Sequence, residues 1–375
     1  MDLAALETPC LLLAADRMER NVARMRNRMA ALGVALRPHL KTCKSIDVAR
    51  LAMASPAGPA TVSTLKEADY FYAHGVTDLL YAVGIAPNKL AHAADLRRRG
   101  ADLALILDSV EAARAVCAFG RTHGLRFPVL IEIDSDGHRS GVPPDDPGLL
   151  EVAAAVADGA ELRGVMTHAG SSYGCESVDA IRAMAEQERG AAVHSAGRLR
   201  AAGHAAPVVS VGSTPTATYA ERLDGVTEVR AGVYVFFDLV MAGLAVCRIE
   251  DIAVSVLATV IGHQRERGWI ITDAGWMAMS RDRGTARQRI DQGYGLVCDA
   301  NGAPLDDLVV ADANQEHGIV ARRGGGALDP GRFPVGAQLR ILPNHACATA
   351  AQYPAYHVVR GTPTIEAVWP RCGGW

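Results

Sequence analysis

The sequence predicts a (β/α)8 barrel followed by a β-rich domain, and three observations carry that expectation. Short β-branched runs alternate with alanine-rich helical stretches through the first two thirds of the chain. Helical periodicity stops near residue 245, and strand-like runs replace it. The 375 residues are 49% hydrophobic, enough apolar surface for a large core and a second domain. A doubly wound sheet is the structural alternative.

Taken in order, 10–13, 34–37, 61–63, 79–83, 103–107, 128–133, 162–167 and 207–211 read as buried parallel strands, because each is a short apolar run bounded by turn residues. Helices fill the intervals at 16–32, 65–75, 87–100, 109–120, 147–159 and 177–203. The first of them sets Met18, Val22, Met25 and Met29 on one face and arginines around the other, and Gly33 stops it. Beyond 245, the runs 252–261 and 269–273 have strand character. Gly324, Gly325, Gly326, Pro330, Gly331, Pro334 and Gly336 punctuate the C-terminal region, as turns between short strands require. The expected domains are a barrel over 10–245 and a β-rich domain over 246–375 that also takes in 1–9.

Charge narrows the function. A net charge of −3 and only isolated arginine clusters, at Arg97–Arg99 and Arg281–Arg283, leave no electrostatic footprint for nucleic acid. Small-molecule chemistry is expected instead. The N-terminus has no cationic region ahead of an apolar run, and no apolar segment approaches the roughly 20 residues a bilayer needs, so the cytoplasm is the expected compartment. Eight cysteines are scattered without framework spacing, and most should be reduced and buried.

The stretch Arg37-Pro38-His39-Leu40-Lys41-Thr42-Cys43-Lys44 places a lysine just past an apolar strand and among other cations. A desolvated lysine with cationic neighbours loses its proton readily, and the neutral amine can form a Schiff base with an aldehyde cofactor, of which pyridoxal phosphate is the obvious one. A solvated basic loop is the alternative. Two later segments could hold the cofactor's phosphate: Gly212-Ser213-Thr214, whose N–H groups and hydroxyls would be open to a dianion after an apolar strand, and Gly232-Val233-Tyr234 one unit on. An ordinary Gly-Ser-Thr turn is the commoner explanation of such a segment taken alone.

In the second domain, His345-Ala346-Cys347 would bring an imidazole and a thiolate to one face of an extended backbone, where they could share a divalent metal. Zinc suits that pair best, with magnesium or manganese as alternatives, and two protein ligands leave positions open to substrate. A buried cysteine beside a capping histidine is the other reading.

Thr8-Pro9, the Lys41 stretch, Thr167-His168-Ala169-Gly170-Ser171-Ser172-Tyr173, Gly212-Ser213-Thr214-Pro215-Thr216, Asp273-Ala274-Gly275, Gln315-Glu316-His317-Gly318 and Pro343-Asn344-His345-Ala346-Cys347 together resemble the D-threonine aldolase and D-serine dehydratase family. The family is similar to alanine racemase in fold. The resemblance implies a pyridoxal-phosphate barrel joined to a β-domain and a homodimer whose active site combines one chain's barrel mouth with its partner's β-domain. It makes Lys41 the Schiff-base lysine and puts Arg139 near the cofactor's phenolic oxygen. It sets His168 and Tyr173 along the ring, and His345 and Cys347 on the metal. A cysteine at the second metal position resembles the dehydratases, since the aldolases carry a carboxylate there. The implied substrate is a D-3-hydroxyamino acid. A hydroxyaspartate would yield oxaloacetate and ammonia, whereas retro-aldol cleavage to glycine and an aldehyde is the alternative.

Overall fold

The computed structural model describes residues 2–326 and 328–375. They form two compact units. One comprises Arg24–Gly232 with Gly374–Trp375; the other comprises the chain up to Ala23 together with Val233–Gly373. With strands numbered in chain order, β1 (Cys10–Ala14) belongs to the second unit.

The first unit is built on eight parallel strands: β2 (Ala35–Pro38), β3 (Ala60–Val62), β4 (Asp78–Gly84), β5 (Asp102–Leu107), β6 (Pro128–Ile133), β7 (Glu161–Thr167), β8 (Val208–Val211) and β9 (Glu228–Ala231). Their order is β2-β9-β8-β7-β6-β5-β4-β3, and a parallel bridge from His39 to Thr61 brings the two ends together. The result is a nearly closed barrel. Helices Leu65–Ala73, Val110–His123 and Val178–Ala201 begin at Thr64, Ser109 and Ser177, whose hydroxyls each accept the N–H three residues on. Each cap contributes about 1 kcal/mol.

Alternation along the strands divides polar from apolar groups. Leu80, Ala104, Ile106, Leu130 and Met166 make one buried cluster. Glu132 and Ser210 share strand faces with Leu130 and Val208 but lie one step nearer the C-terminal ends. Polar chemistry therefore collects at the mouth, where barrels of this kind keep their active sites.

Two strand assignments change. The run 10–13, expected in the barrel, pairs antiparallel with the strand Val254–Gln264 and parallel with the strand Ala355–Val359, both of the second unit. Its apolar composition suits either environment, and periodicity could not separate them. The barrel's eighth strand is instead Glu228–Ala231, which has no continuous apolar run because Glu228 and Arg230 are both buried there and offset each other's charge.

In the second unit, β10 (Val254–Gln264), β11 (Trp269–Thr272), β12 (Gly295–Cys298), β13 (Pro304–Ala313), β14 (Gly318–Arg322) and β15 (Gln338–Pro343) pair in the order β11-β14-β13-β12-β15-β10. A further β10–β11 pairing closes these six into an antiparallel barrel. Beyond β10 the sheet continues through β1 to β16 (Ala355–Val359) and β17 (Ile365–Pro370). Leu3, Cys10, Leu12, Leu257 and Val359 pack together across this extension. The change of compact unit at Gly232–Val233 precedes the change of sequence texture near 245, since the turn Val233–Val235 and the helix Leu239–Gly243 still have helical composition.

No described helix is long and apolar enough to cross a membrane. Among the described residues no cysteine forms a disulfide, and only Cys175 and Cys347 are not fully buried.

Candidate active site

Lys41 sits in the loop leaving β2, and that loop is fastened throughout. His39 donates its N–H to Ala231 O at 2.7 Å, Leu40 to Thr61 O at 2.8 Å, and Lys44 to Leu40 O at 2.8 Å. Lys44 holds a left-handed φ of 46°, a conformation costly for a residue with a side chain. Its Nζ lies 3.2 Å from Oε1 of the buried Glu67, while Glu67 Oε2 accepts the Ser63 N–H at 2.8 Å. Gly232 admits this loop closely: a Cβ there would stand 2.9 Å from Thr42 Oγ1 and 3.0 Å from His39 O. Lys41 itself is exposed. The expected desolvation is thus not supplied by the protein around it, because the loop carries the lysine past the last apolar strand position.

The structure gathers several sequence-expected residues around His39. Its Nδ1 is buried without a hydrogen-bond partner, and the ring is driven well below the ordinary histidine pKa by burial and then by Lys41, Arg230, His168 and Arg139. His168, directly after β7, is pushed down to about 3, chiefly by burial. Its Nδ1 lies 2.9 Å from Gly212 O, so the neutral ring donates there and keeps Nε2 as an acceptor. The Tyr173 ring stands 6.1 Å from the His168 ring, centroid to centroid. Arg139, in the loop after β6, lies 3.7 Å from Glu132, whose carboxyl is raised by burial.

The loop after β8 differs from expectation in detail. Gly212 N–H is taken by Glu188 Oε1 at 3.1 Å, and Ser213 N–H by Thr216 Oγ1 at 3.0 Å, so neither points to a vacant anion site. The Ser213 hydroxyl caps the helix Thr214–Tyr219 and meets Ser172 Oγ at 2.9 Å. Thr214 Oγ1, by contrast, is buried with no partner. Gly212 is required here: φ is +135°, and a Cβ would fall 2.2 Å from Arg230 O. An unpartnered hydroxyl, an unpartnered imidazole nitrogen and an exposed amine around side-chain-free glycines fit a phosphorylated aldehyde cofactor. Val233 and Tyr234 are buried in the turn that begins the second unit.

Two residues that sequence reasoning passed over organise this end. Glu188, buried on the helix Val178–Ala201, accepts the N–H of Ala169 at 2.8 Å as well as that of Gly212, tying the loops after β7 and β8 to one oxygen. Arg230 is buried in β9, bonds Ser210 Oγ at 2.5 Å and donates to Thr167 O. Beneath it, Glu228 accepts from Ser210 Oγ at 2.6 Å and from Arg37 Nε at 2.8 Å. Such charges are tolerable only as a mutually satisfied set. A charge in an otherwise strand-like segment was the available signal.

The second unit carries the metal candidates. His345 is extended and precedes the helix Ala346–Ala350, so Cys347 lies in a first helical turn and not on a strand as expected. The two side chains nevertheless hydrogen-bond. His345 Nδ1 lies 2.6 Å from Asp282 Oδ2. Burial opposes protonation of His345, but Asp282, Cys347 and Asp238 outweigh it and raise the ring to about 11. Asp238, fully buried and raised by burial, accepts the N–H of Ala346 and of Met241, each at 3.0 Å. Thr285 Oγ1 and Asn344 Oδ1 are 2.7 Å apart, and Thr349 Oγ1 donates to Met279 O at 2.7 Å, fixing both ends of the segment. Among the described residues, no three His, Cys, Asp or Glu side chains converge as a metal cage. An imidazole oriented by a carboxylate and paired with a thiol does fit a divalent ion with open positions.

Comparison with known proteins places these residues in a family. The alanine racemase N-terminal domain matches residues 13–240, and the D-serine dehydratase domain matches 253–359. The chain is 59% identical to D-threo-3-hydroxyaspartate dehydratase of Delftia sp. (strain HT23), across 100% of this chain and 99% of that protein. It is 30% identical to D-serine dehydratase of Dictyostelium discoideum, over 96% and 94% of the two chains. The solved Delftia enzyme superposes with a TM-score of 0.98 at 59% identity, covering both chains fully. That enzyme has also been solved with alanine replacing a histidine, and with alanine replacing a cysteine two positions later in a metal-free form. The chain belongs to the alanine racemase-like family that includes the D-serine dehydratases and D-threonine aldolases.

Proposed function

We propose that this chain is a pyridoxal-phosphate- and divalent-metal-dependent dehydratase of D-3-hydroxyamino acids, acting on D-threo-3-hydroxyaspartate to give oxaloacetate and ammonia. The observation that carries the reading is the His345–Cys347 pair with Asp282 behind it, in a chain 59% identical to a dehydratase over its whole length. Bound pyridoxal phosphate supplies an electron sink for the α-carbon, and a divalent ion, zinc or else magnesium or manganese, supplies a Lewis acid for the β-oxygen.

The residues divide the remaining work. Lys41 would hold the cofactor's aldehyde through Nζ, and its free amine would be the base that takes the α-proton. Arg139 brings positive charge to the cofactor's phenolic side, with Glu132 restraining it. His168 and Tyr173 border the ring, and the fixed neutrality of His168 keeps a second cation away from it. Gly212, Ser213 and Thr214 with Gly232, Val233 and Tyr234 are assigned to the phosphate end; the Gly212 and Ser213 N–H groups are engaged within the protein, and the unpartnered Thr214 hydroxyl is the support for the assignment. His345 and Cys347 hold the ion, and Asp282 fixes the imidazole's orientation. The α-proton and β-hydroxyl leave as water, and the released enamine hydrolyses to the 2-oxo acid and ammonia. A cytoplasmic homodimer completes the proposal, with sedimentation of the purified protein as the check on its assembly.

Incubation of the holoprotein with D-threo- and D-erythro-3-hydroxyaspartate, D-serine and D-threonine tests the reaction. Ammonia should appear, fastest from the threo isomer. Glycine without ammonia would replace the dehydratase reading with an aldolase.

A further inference from the structure

The dehydratase reading leaves open how a second carboxylate on the substrate is recognised. In a 3-hydroxyaspartate the β-hydroxyl and β-carboxylate share one carbon. If the β-oxygen is handled at His345 and Cys347, the carboxylate must lie beside that pair, and a cation selecting it must be close by.

Asp282, which orients His345, has an arginine on each side in sequence. Arg283 is already neutralised, with Nη2 2.8 Å from Asp291 and its guanidinium over the Tyr294 ring. Arg281 has no carboxylate partner among the described residues. Its guanidinium lies 4.9 Å from the Trp276 ring centroid. Trp276 is itself anchored, donating its N–H to Asn314 O at 2.9 Å and accepting from Ser280 N–H at 2.8 Å. Between ring and carboxylate, Ser280 adopts a left-handed φ of 77°, and its hydroxyl accepts the Asp282 N–H at 3.2 Å. The kink is held from both sides.

A guanidinium stacked on an indole keeps its edge N–H donors available, and that edge matches a carboxylate bidentately. The stack also removes rotamer freedom before substrate arrives, lowering the entropy cost of forming the pair. We propose that Arg281, preorganised on Trp276, is the specificity residue that binds the β-carboxylate of a dicarboxylic 3-hydroxyamino acid; the inference rests on the dehydratase reading.

The test compares wild-type holoprotein with Arg281→Met, which keeps a long apolar side chain over Trp276, and Arg281→Lys. The ratio of kcat/KM for D-threo-3-hydroxyaspartate over D-serine should fall on the order of 10- to 100-fold in Arg281→Met, mainly through KM, as loss of a charge-assisted pair predicts. Lysine should restore part of it. Malonate binding, followed by calorimetry, should weaken in the methionine variant while bound metal and thermal unfolding stay as in wild type. An unchanged substrate ratio with unchanged malonate affinity overturns the assignment of Arg281. Wild-type protein that releases ammonia from neither substrate overturns the dehydratase reading instead.

Discussion

Removal of the Glu188 carboxylate should loosen two active-site loops together, and the size of the effect is set by its bonds. One oxygen accepts the Ala169 N–H at 2.8 Å and the Gly212 N–H at 3.1 Å, and Thr216 adds a side-chain hydrogen bond. Glu188→Ala would leave two buried backbone donors unmet, at about 1–3 kcal/mol each, so a loss of about 2–6 kcal/mol is expected. Burial raises the Glu188 carboxyl, so Glu188→Gln, which retains an acceptor oxygen, should cost less than the alanine variant, at most about 1–2 kcal/mol. Native-state hydrogen exchange at Ala169 and Gly212, together with urea unfolding followed by circular dichroism, measures both. The alanine variant should exchange at least about 30-fold faster at those amides. An alanine variant within about 0.5 kcal/mol of wild type, with both amides still protected, would refute the claim that Glu188 holds the loops.

Lys41→Ala should abolish borohydride-fixable attachment of pyridoxal phosphate, and Lys41→Arg should fail equally because a guanidinium stays protonated; labelled cofactor retained on either variant at the same peptide counts against the assignment. Chelation or Cys347→Ala should stop ammonia release yet leave cofactor absorbance in place, and full activity in verified metal-free protein would remove the Lewis-acid role. Glu67→Gln, which strands the half-buried Lys44 amine, should cost about 3 kcal/mol in urea unfolding. His168 titrates near 3 when folded but near 6.5 when unfolded, so the unfolded chain binds the extra proton between those values; apoprotein stability should fall as pH drops from about 6.5 towards 3, with a slope from this residue of up to about 1.4 kcal/mol per pH unit that His168→Gln removes.

How far the fold could be read from the sequence depended on which residues faced the core. A run such as 103–107 is apolar on both faces, as a strand of a helix-covered barrel must be, and 128–133 is interrupted only by Glu132, so both stand out. Glu228–Ala231 does not, because its charges are satisfied by groups on other strands that only the folded sheet brings alongside: Arg37 on β2, Ser210 on β8 and Thr167 on β7. The opposite error occurred at 10–13. Its leucines are as buried as any barrel strand, but their neighbours lie on β10 and β16, more than two hundred residues away. An apolar run reports that a strand is buried and says nothing about which sheet buries it.

The same limit shaped the view of the site. Lys41, His168, His345 and Cys347 could be nominated from sequence because each carries its own chemistry. Glu188, Arg230 and Asp282 were not, because their importance lies in what they hold: two loop amides, a strand-end carbonyl, an imidazole. The backbone adds one more signal that sequence could not supply. Of the five non-glycine residues with left-handed φ among the described residues, Lys44 is three positions from Lys41, Phe237 precedes Asp238, and Ser280 lies two before Asp282. Each sits where the chain must turn sharply to present an ionisable group. Strain at such positions persists only where surrounding contacts over-determine it, and here the Glu67 ion pair, the helix-capping bonds of Asp238 and the Ser280–Asp282 bond supply those contacts. The groups proposed to perform chemistry are therefore fixed by a second set of residues whose loss should show first in loop protection, cofactor retention and metal affinity, and only through those in turnover.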